Sequence, residues 1–319
     1  MPQEVEIIIV GGWPAGSACA WRLQRAGREV LVLDKAAFPR LKPCAGWITP
    51  SVVRRLHFRL SEYPHSLLTF RRLYVSIQGR SIAVPTRQHS IRRTEFDAWL
   101  LDRSGVPVVQ HRVRHIRREN GRYLIDDQFR CTYLVGAGGT HCPVYHTFFK
   151  KLNPRAKERI ISTLELEFPY PWHDPNCYLW FFDHELPGYS WYVPKGNGFL
   201  NIGIGGKQLA MKQRGKTIRQ HWEHFAEKLH RMGLVQENDL HPYGYTYSLR
   251  SQVAVVQQDN AFIIGDAAGL ATLDMGEGIG PAVQSGLRAA EAILTGRPLS
   301  FKGIPKYSIW QILFPFGFW

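Results

Sequence analysis

Two glycine-rich stretches near the ends of this chain, 11-GGWPAG-16 and 265-GDAAGLATLDMGEGIGPAVQSG-286, could hold an anion with backbone groups alone. A glycine turn that opens a helix leaves the first-turn N–H groups unpaired and points the positive end of the helix dipole at its occupant. Phosphate and an anionic ring are the species that suit such a turn. The residues that could do this are Gly11, Pro14, Ala15 and Gly16 in the first stretch, and Gly265, Asp266, Gly276, Gly278 and Ile279 in the second. The same glycines could be tight turns and nothing more, so the elements around them decide.

Those elements are legible at the N-terminus. Val5 to Val10 reads as an apolar strand, and the glycine turn follows it. A helix then places Ala15, Cys19, Leu23 and Ala26 on one side and closes at Gly27, before a second strand, 29-EVLVLDK-35. Strand, glycine turn, helix and strand ending in Asp34 form the dinucleotide-binding βαβ fingerprint. Gly11 makes the turn, Gly16 lets helix and strand approach, and Asp34, with Lys35 beside it, is placed to accept from a ribose diol. The middle glycine of the fingerprint is replaced by Trp13. Two outcomes stay open: a dinucleotide held by an adjusted turn, or a fold whose cofactor site is lost. At the other end, the second half of 253–264 reads as a strand ending at Gly265. From Ile279, apolar residues recur at helical steps through Ile293.

Composition narrows the classes. The 319 residues, 45% hydrophobic, can bury a large core in one or two domains. A net charge of +14 favours anionic partners, but no recognition motif supports nucleic acid. Five scattered cysteines without a CxxC argue against a disulfide framework or zinc site and for a cytoplasmic location. The 13 histidines show no HExxH or paired spacing, so no metal is expected. The N-terminus lacks a signal-peptide layout, and no apolar run is long enough to span a bilayer.

Between the two glycine stretches, 66–91 and 160–206 alternate apolar and polar residues as antiparallel strands do. They are rich in aromatics that could wall an apolar pocket. Residues 207–232 read as one basic amphipathic helix, and 111-HRVRHIRR-118 as a strand with its charges in solvent. The end, 304-IPKYSIWQILFPFGFW-319, could dock on the protein or touch a membrane interface.

The two glycine stretches together resemble the FAD-dependent oxidoreductases of the geranylgeranyl reductase type, within the wider p-hydroxybenzoate hydroxylase-like flavoproteins. Further matches lie in between. Cys44-Ala45-Gly46 resembles the Cys-Gly-Gly turn beside the flavin, and 92-RRTEFDAWLL-101 the Arg-x-x-Phe-Asp element, with Arg93 as the matching arginine. The stretch 135-VGAGGTHCPV-144 resembles a Gly-Ala-Asp-Gly strand end, with Gly138 in place of Asp. Finally, 187-PGYSWYVPKG-196 resembles the Tyr-x-Trp-x-x-Pro cavity signature.

The resemblance implies an α/β (α+β overall) architecture, a Rossmann-like FAD-binding domain with an inserted antiparallel-sheet substrate domain. The expected boundaries are 1–65, 86–150 and 250–300 for the first, 66–85 and 151–249 for the second, and an aromatic tail over 301–319. FAD is the implied cofactor, with Val113 near the adenine, Asp266 near the ribityl-pyrophosphate, and Gly278 and Ile279 at the flavin. The implied reaction passes hydride from reduced flavin N5 to a C=C bond of an isoprenoid or lipid-like substrate. Cys44, Tyr189 and Trp191 are the catalytic candidates, and NAD(P)H or a ferredoxin-like carrier supplies electrons. A flavin monooxygenase or halogenase of the same fold is the alternative, and a cofactor-poor relative the third reading.

Overall fold

The computed structural model describes residues 1–237, 239–251 and 253–314. Contacts divide the chain into two compact units. The first comprises 1–40, 94–155 and 248–308; the second comprises 41–93, 156–247 and the described part of 309–319.

In the first unit, the strand β1 (Gln3–Val10), the helix α1 (Pro14–Gln24) and the strand β2 (Val30–Asp34) form the expected βαβ unit. β1 pairs in parallel with β2 on one side and with Phe129–Gly136 on the other. Val108–Gln110 extends the parallel sheet beyond β2, and Ala261–Ile263 extends it beyond Phe129–Gly136. Alternate side chains of β1 enter two different cores, as a period of two requires. Ile7 and Ile9 pack with Cys19 and Leu23 of α1 and with Ala289 and Ile293; Ile8 and Val10 pack with Leu31, Leu33, Leu134 and Phe149. Burial on both faces is what an all-parallel core demands, and it explains the unbroken run Ile7–Val10.

The helix Ile279–Thr295 packs on α1 at unusually short range. A Cβ on Gly286 would lie 2.2 Å from the carbonyl oxygen of Ala15, and one on Gly16 would lie 1.9 Å from that of Gly11. Neither position admits a side chain, so both glycines are there for approach.

Two local expectations change here. α1 ends at Gln24, leaving Ala26 exposed in the turn beyond it. The 111–118 run is not one strand: only Ile116–Glu119 pairs, in a hairpin with Arg122–Ile125. The cause is Asp126, which accepts from the backbone N–H groups of Arg114 and His115 and pairs with His111 Nε2 at 2.7 Å. Backbone donors engaged by a carboxylate are not available to a neighbouring strand.

The second unit is an eight-stranded sheet in the order Tyr243–Ser248, Ile160–Pro169, Phe199–Lys207, Gly188–Lys195, Cys177–Phe181, Leu68–Ile77, Arg80–Ser90 and Trp47–Ile48. Residues 41–65 and 86–93, expected with the nucleotide-binding part, group here because Trp47–Ile48 pairs with His89–Ser90. Cys177–Phe181 and Leu68–Ile77 run parallel, a departure from the expected antiparallel sheet. They come from separate segments of the chain, so no hairpin dictates their direction.

One sheet face, with Trp180, Tyr192, Leu200, Ile202 and Ile204, packs on Trp222, Phe225 and Leu229 of the helix Ile218–Arg231. The expected single helix over 207–232 is two. Gln208–Gln213 stops at Gly215, where φ is +67°, and Thr217 restarts the chain with a capping box to Gln220. Of the aromatic tail, Ile309–Leu313 is a short helix docked on Arg80–Ser90: Thr86 Oγ1 donates to the carbonyl of Ile312 at 2.7 Å. Residues 315–319 lie outside the described residues.

Candidate functional site

The two glycine stretches meet within the first unit. A Cβ on Gly265 would come within 2.9 Å of the Ala15 Cβ, so the two turns lie against each other. Gly265 N donates to Ser285 Oγ at 2.9 Å, tying this turn to the helix Ile279–Thr295. Ser17 Oγ donates to the carbonyl of Gly12 at 2.8 Å and ties the first turn to α1. Pro14, at the first position of α1, has no N–H. The free amides at that terminus are therefore those of Ala15 and Gly16.

Trp13 is accommodated without strain, its φ of −77° and ψ of 176° being ordinary extended backbone. Its indole lies beneath the guanidinium of Arg40, 3.4 Å from ring centroid to Cζ, and Arg40 in turn pairs with Asp34 at 3.2 Å. Asp34 also accepts from Gly12 N at 2.8 Å and Ala36 N at 3.1 Å, which fixes the carboxylate at the end of β2. Lys35 is exposed and Val113 is half-buried in the irregular segment beyond Val108–Gln110.

At the second turn, the carbonyls of Asp266 and Ala267 both accept from Arg155 at 3.3 Å. Gly276 takes a left-handed φ of 63°, and Gly278 caps the helix that opens at Ile279. Glu277 occupies that helix terminus with its own side chain, accepting from Gly280 N at 2.6 Å. Burial, aided by Asp274 and Asp266, pushes the Glu277 carboxyl up to about 7.

The second unit assembles a different group. The ammonium of the fully buried Lys195 donates to the carbonyls of Ala45 at 2.5 Å, Gly46 at 2.7 Å and Ile91 at 2.8 Å. Burial pulls its pKa down, yet three acceptors around three N–H bonds are what the charged form requires. The Cys44-Ala45-Gly46 turn is thus stapled to the stretch that leads into buried Arg93, with Ile91 N donating to Gly46 O at 2.8 Å. Asn201 links this turn to the sheet. Its Oδ1 accepts from Trp191 Nε1 at 2.8 Å, and its Nδ2 donates to Glu165 Oε1 at 2.9 Å and to the carbonyl of Cys44 at 3.3 Å. An indole can only donate, so the amide orientation is fixed. Glu165, 5% exposed, has its carboxyl pushed up to about 7 by burial. Its neighbour Glu167 pairs with Arg92 at 2.9 Å.

Register places Glu165, Gly203, Trp191 and Leu179 side by side on the sheet face opposite the helix Ile218–Arg231. Thr163, Gly205, Tyr189 and Phe181 form the adjoining row. Trp191 is buried, its indole lying over Gly203, where a Cβ would be 2.2 Å from Cζ2. Tyr189 is half-buried and stacks on Phe181 with ring centroids 5.0 Å apart. The result is an aromatic floor with a buried polar cluster at one end.

The structure therefore gathers Gly11, Trp13, Pro14, Ala15, Gly16, Asp34, Gly265, Asp266, Gly276, Gly278 and Ile279 in the first unit. It gathers Cys44, Ala45, Gly46, Arg93, Tyr189 and Trp191 in the second. Sequence reasoning missed Arg40, Glu165, Lys195, Asn201 and Glu277. Thr163, Glu165 and Glu167 alternate with Leu164, Leu166 and Phe168, a pattern that reads as an ordinary polar face until the partner strand is known. Lys195, directly after Pro194 of the aromatic signature, was the readable signal. Among the described residues, no group of His, Cys, Asp and Glu could hold a metal ion.

An FAD-type dinucleotide fits the first unit: the glycine turn that opens α1 lies against the Gly265 turn, an acidic residue ends β2, and the indole at position 13 is held by Arg40. Replacing Trp13 by glycine therefore changes flavin affinity less than threefold, because the indole already lies against Arg40. A gain of tenfold or more in a flavin titration would instead mean that the ring obstructs the phosphates.

Comparison with known proteins agrees. Residues 91–295 match the FAD binding domain family model, and residues 9–43 match an NAD(P)-binding Rossmann-like domain. The chain is 28% identical to menaquinone reductase of Mycolicibacterium smegmatis, over 97% of this chain and 79% of the relative. It is 26% identical to geranylgeranyl diphosphate reductase of Rhodobacter capsulatus, over 94% of this chain and 78% of the relative. The crystal structure of a geranylgeranyl bacteriochlorophyll reductase-like protein from Thermoplasma acidophilum shares the fold, with a TM-score of 0.78 at 20% identity, over 93% of this chain and 80% of that one.

Proposed function

We propose a reaction from one premise: this chain belongs to the FAD binding domain family, as a flavoprotein of the geranylgeranyl reductase type, and is an FAD-dependent oxidoreductase. On that premise, the first unit holds the cofactor and the second takes an apolar, isoprenoid-like substrate whose C=C bond is reduced. The observation that carries this reading is the sheet face of the second unit. Phe181 and Tyr189 stack there, and Ile77 and Ile82, on the same face, are 46% and 59% exposed. An aromatic and aliphatic surface of this kind binds hydrocarbon by removing it from water. It offers few hydrogen-bond partners to a polar head. The names of the two enzyme relatives support a reductase acting on a prenyl compound.

FAD, when bound, supplies the hydride. The chain's own residues do the rest. Gly11 and Gly16 would admit the pyrophosphate to α1, Asp34 would accept from the ribose, and the turn at Gly278 and Ile279 would hold the flavin end. Lys195 and Asn201 hold Cys44 and its turn in place, and Tyr189 and Trp191 form the floor against which the lipid lies. Electrons come from NAD(P)H or a ferredoxin-like carrier. Contact with a lipid surface would use Trp310 and Phe314, which are 52% and 54% exposed and stack on each other. No helix among the described residues is long and apolar enough to cross a membrane.

A monooxygenase of the same fold would consume dioxygen in step with product. With reductant and geranylgeranyl diphosphate present, oxygen uptake stays at the level seen without the lipid. Uptake matching product formation would overturn the reductase assignment.

A further inference from the structure

The net charge of +14 is not answered evenly along the chain. In the first unit, the arginines of the 116–130 region are neutralised by the chain itself. Arg117 pairs with Glu119 and Asp127, Arg118 with Asp259, and Arg122 and Arg130 with Glu4. A second basic group in the same unit is not. Among the described residues, no carboxylate forms an ion pair with His141, His146, Lys150 or Arg155. The four charges feel one another: after burial, Lys150, Arg155 and His141 in turn pull the His146 imidazole below its usual value.

The geometry points to this cluster as a binding site for a phosphate group. Its central cation is fixed before any ligand arrives. Arg155 donates to the carbonyls of Thr140 at 2.5 Å and of Asp266 and Ala267 at 3.3 Å, and its Cζ lies 4.1 Å from the centroid of the Tyr145 ring. All three acceptors are neutral, so the guanidinium charge stays uncompensated. Tyr145 is itself buried and donates to the carbonyl of Asn153 at 2.9 Å. Asn153 is tied in turn to the next segment, its Oδ1 accepting from Ala254 N at 3.0 Å and Val255 N at 3.1 Å.

His146 and Lys150 are exposed at the π-helical turn Tyr145–Phe149, which Lys150 N closes by donating to the carbonyl of Tyr145 at 2.8 Å. Single turns of this kind recur at functional sites. His141 is exposed at the end of the glycine turn Gly139–His141, where the buried Thr140 Oγ1 has no hydrogen-bond partner among the described residues. Guanidinium and ammonium groups only donate, and imidazole and hydroxyl can. A phosphate monoester brings several strong acceptor oxygens and close to two negative charges, where a carboxylate brings one. Pre-placed donors bind it without the ordering cost that mobile side chains would add. Inorganic phosphate and the 2′-phosphate of NADPH carry the same group, and the experiment separates them. The site stands apart from the reaction proposed above, so a chain that loads no flavin leaves the titration readable.

The test uses the full chain in saturating FAD, which takes the turn at α1 first. Inorganic phosphate, NADPH and NADH are titrated separately by calorimetry, and the histidine Cε1–H signals are followed by NMR. Inorganic phosphate binds the wild type, or NADPH binds it in clear preference to NADH; the first marks a free-phosphate site and the second a nucleotide one. With the ligand that binds, Lys150→Glu weakens affinity about tenfold or more, the effect of a lost charge-assisted hydrogen bond. Arg297→Glu, the same charge change on another exposed residue of the unit, alters it less than about twofold. The His146 signal, assigned by its loss in His146→Gln, titrates at higher pH once ligand is bound, because a dianion offsets the cations that hold it low. Affinity that survives Lys150→Glu, or falls equally in both charge reversals, overturns the proposal, since net charge alone would then explain it. So does a His146 titration that the ligand leaves in place, or a chain that binds neither inorganic phosphate nor NADPH more tightly than NADH.

Discussion

Gly286→Ala will destabilise the first unit by about 3 kcal/mol or more, the upper end of what overpacking costs. The methyl group would be placed 2.2 Å from the carbonyl oxygen of Ala15 and 3.2 Å from the amide nitrogen of Cys19. Both are backbone atoms of α1, so no side-chain rotation relieves the clash. α1 has little room to retreat, because at Gly16 it already lies against Gly11 and Ala137, which a Cβ there would meet at 1.9 and 3.2 Å. The helices must separate, and both glycine turns move with them. Flavin content falls together with thermal stability. Gly215→Ala is the control: its Cβ meets nothing within 4 Å, and only the φ of +67° resists it, at roughly 1 kcal/mol. Thermal melts of the two variants should differ widely. Equal, small shifts would mean that the helix contact is looser than described.

Lys195→Met will cost the second unit about 3–5 kcal/mol, the penalty for breaking one side of a buried charged cluster. The methionine fills a similar volume, so packing is nearly kept and the loss is electrostatic. Three carbonyls, of Ala45, Gly46 and Ile91, lose their donor together in a site from which water is excluded. Lys195→Arg does not restore stability, since a planar guanidinium cannot direct its N–H bonds to three acceptors gathered around one nitrogen. Urea unfolding with both variants checks this. A methionine variant as stable as wild type would show that the Cys44–Gly46 turn holds itself.

What could be read in advance follows from the range over which each signal acts. The βαβ fingerprint was legible because every part of it is local: an apolar run, a glycine turn, a helical repeat and Asp34 within one short stretch. The Gly265–Gly286 stretch was legible for the same reason, and only its meeting with Ala15 needed the fold. The polar cluster was not legible. Glu165, Asn201 and Lys195 lie on three strands, and what makes them a site is the register that puts Glu165 beside Gly203 and Asn201 beside Glu167. Periodicity says which residues share a face of one strand, but not which residues on other strands join them. The break at Gly215 was misread because an apolar repeat on both sides outweighed a glycine that has room to turn left-handed. In the same way, the basic run 111–118 was misread as a strand because Asp126, distant along the chain, takes its backbone donors. Trp13 was read as a possible obstruction because the position of Arg40 is invisible in one dimension.

The central claim is that a lipid double bond, and not dioxygen, receives the electrons. The measurement closest to it is a single anaerobic turnover in deuterium oxide, with the pre-reduced protein and geranylgeranyl diphosphate, analysed by mass spectrometry of the lipid. The account predicts a lipid that has gained two hydrogens for each flavin reoxidised, both of them deuterium, because the N5–H of a reduced flavin exchanges with the solvent that also supplies the proton. A lipid of unchanged mass beside a flavin that stays reduced, or a product that forms only after oxygen is admitted, would contradict it.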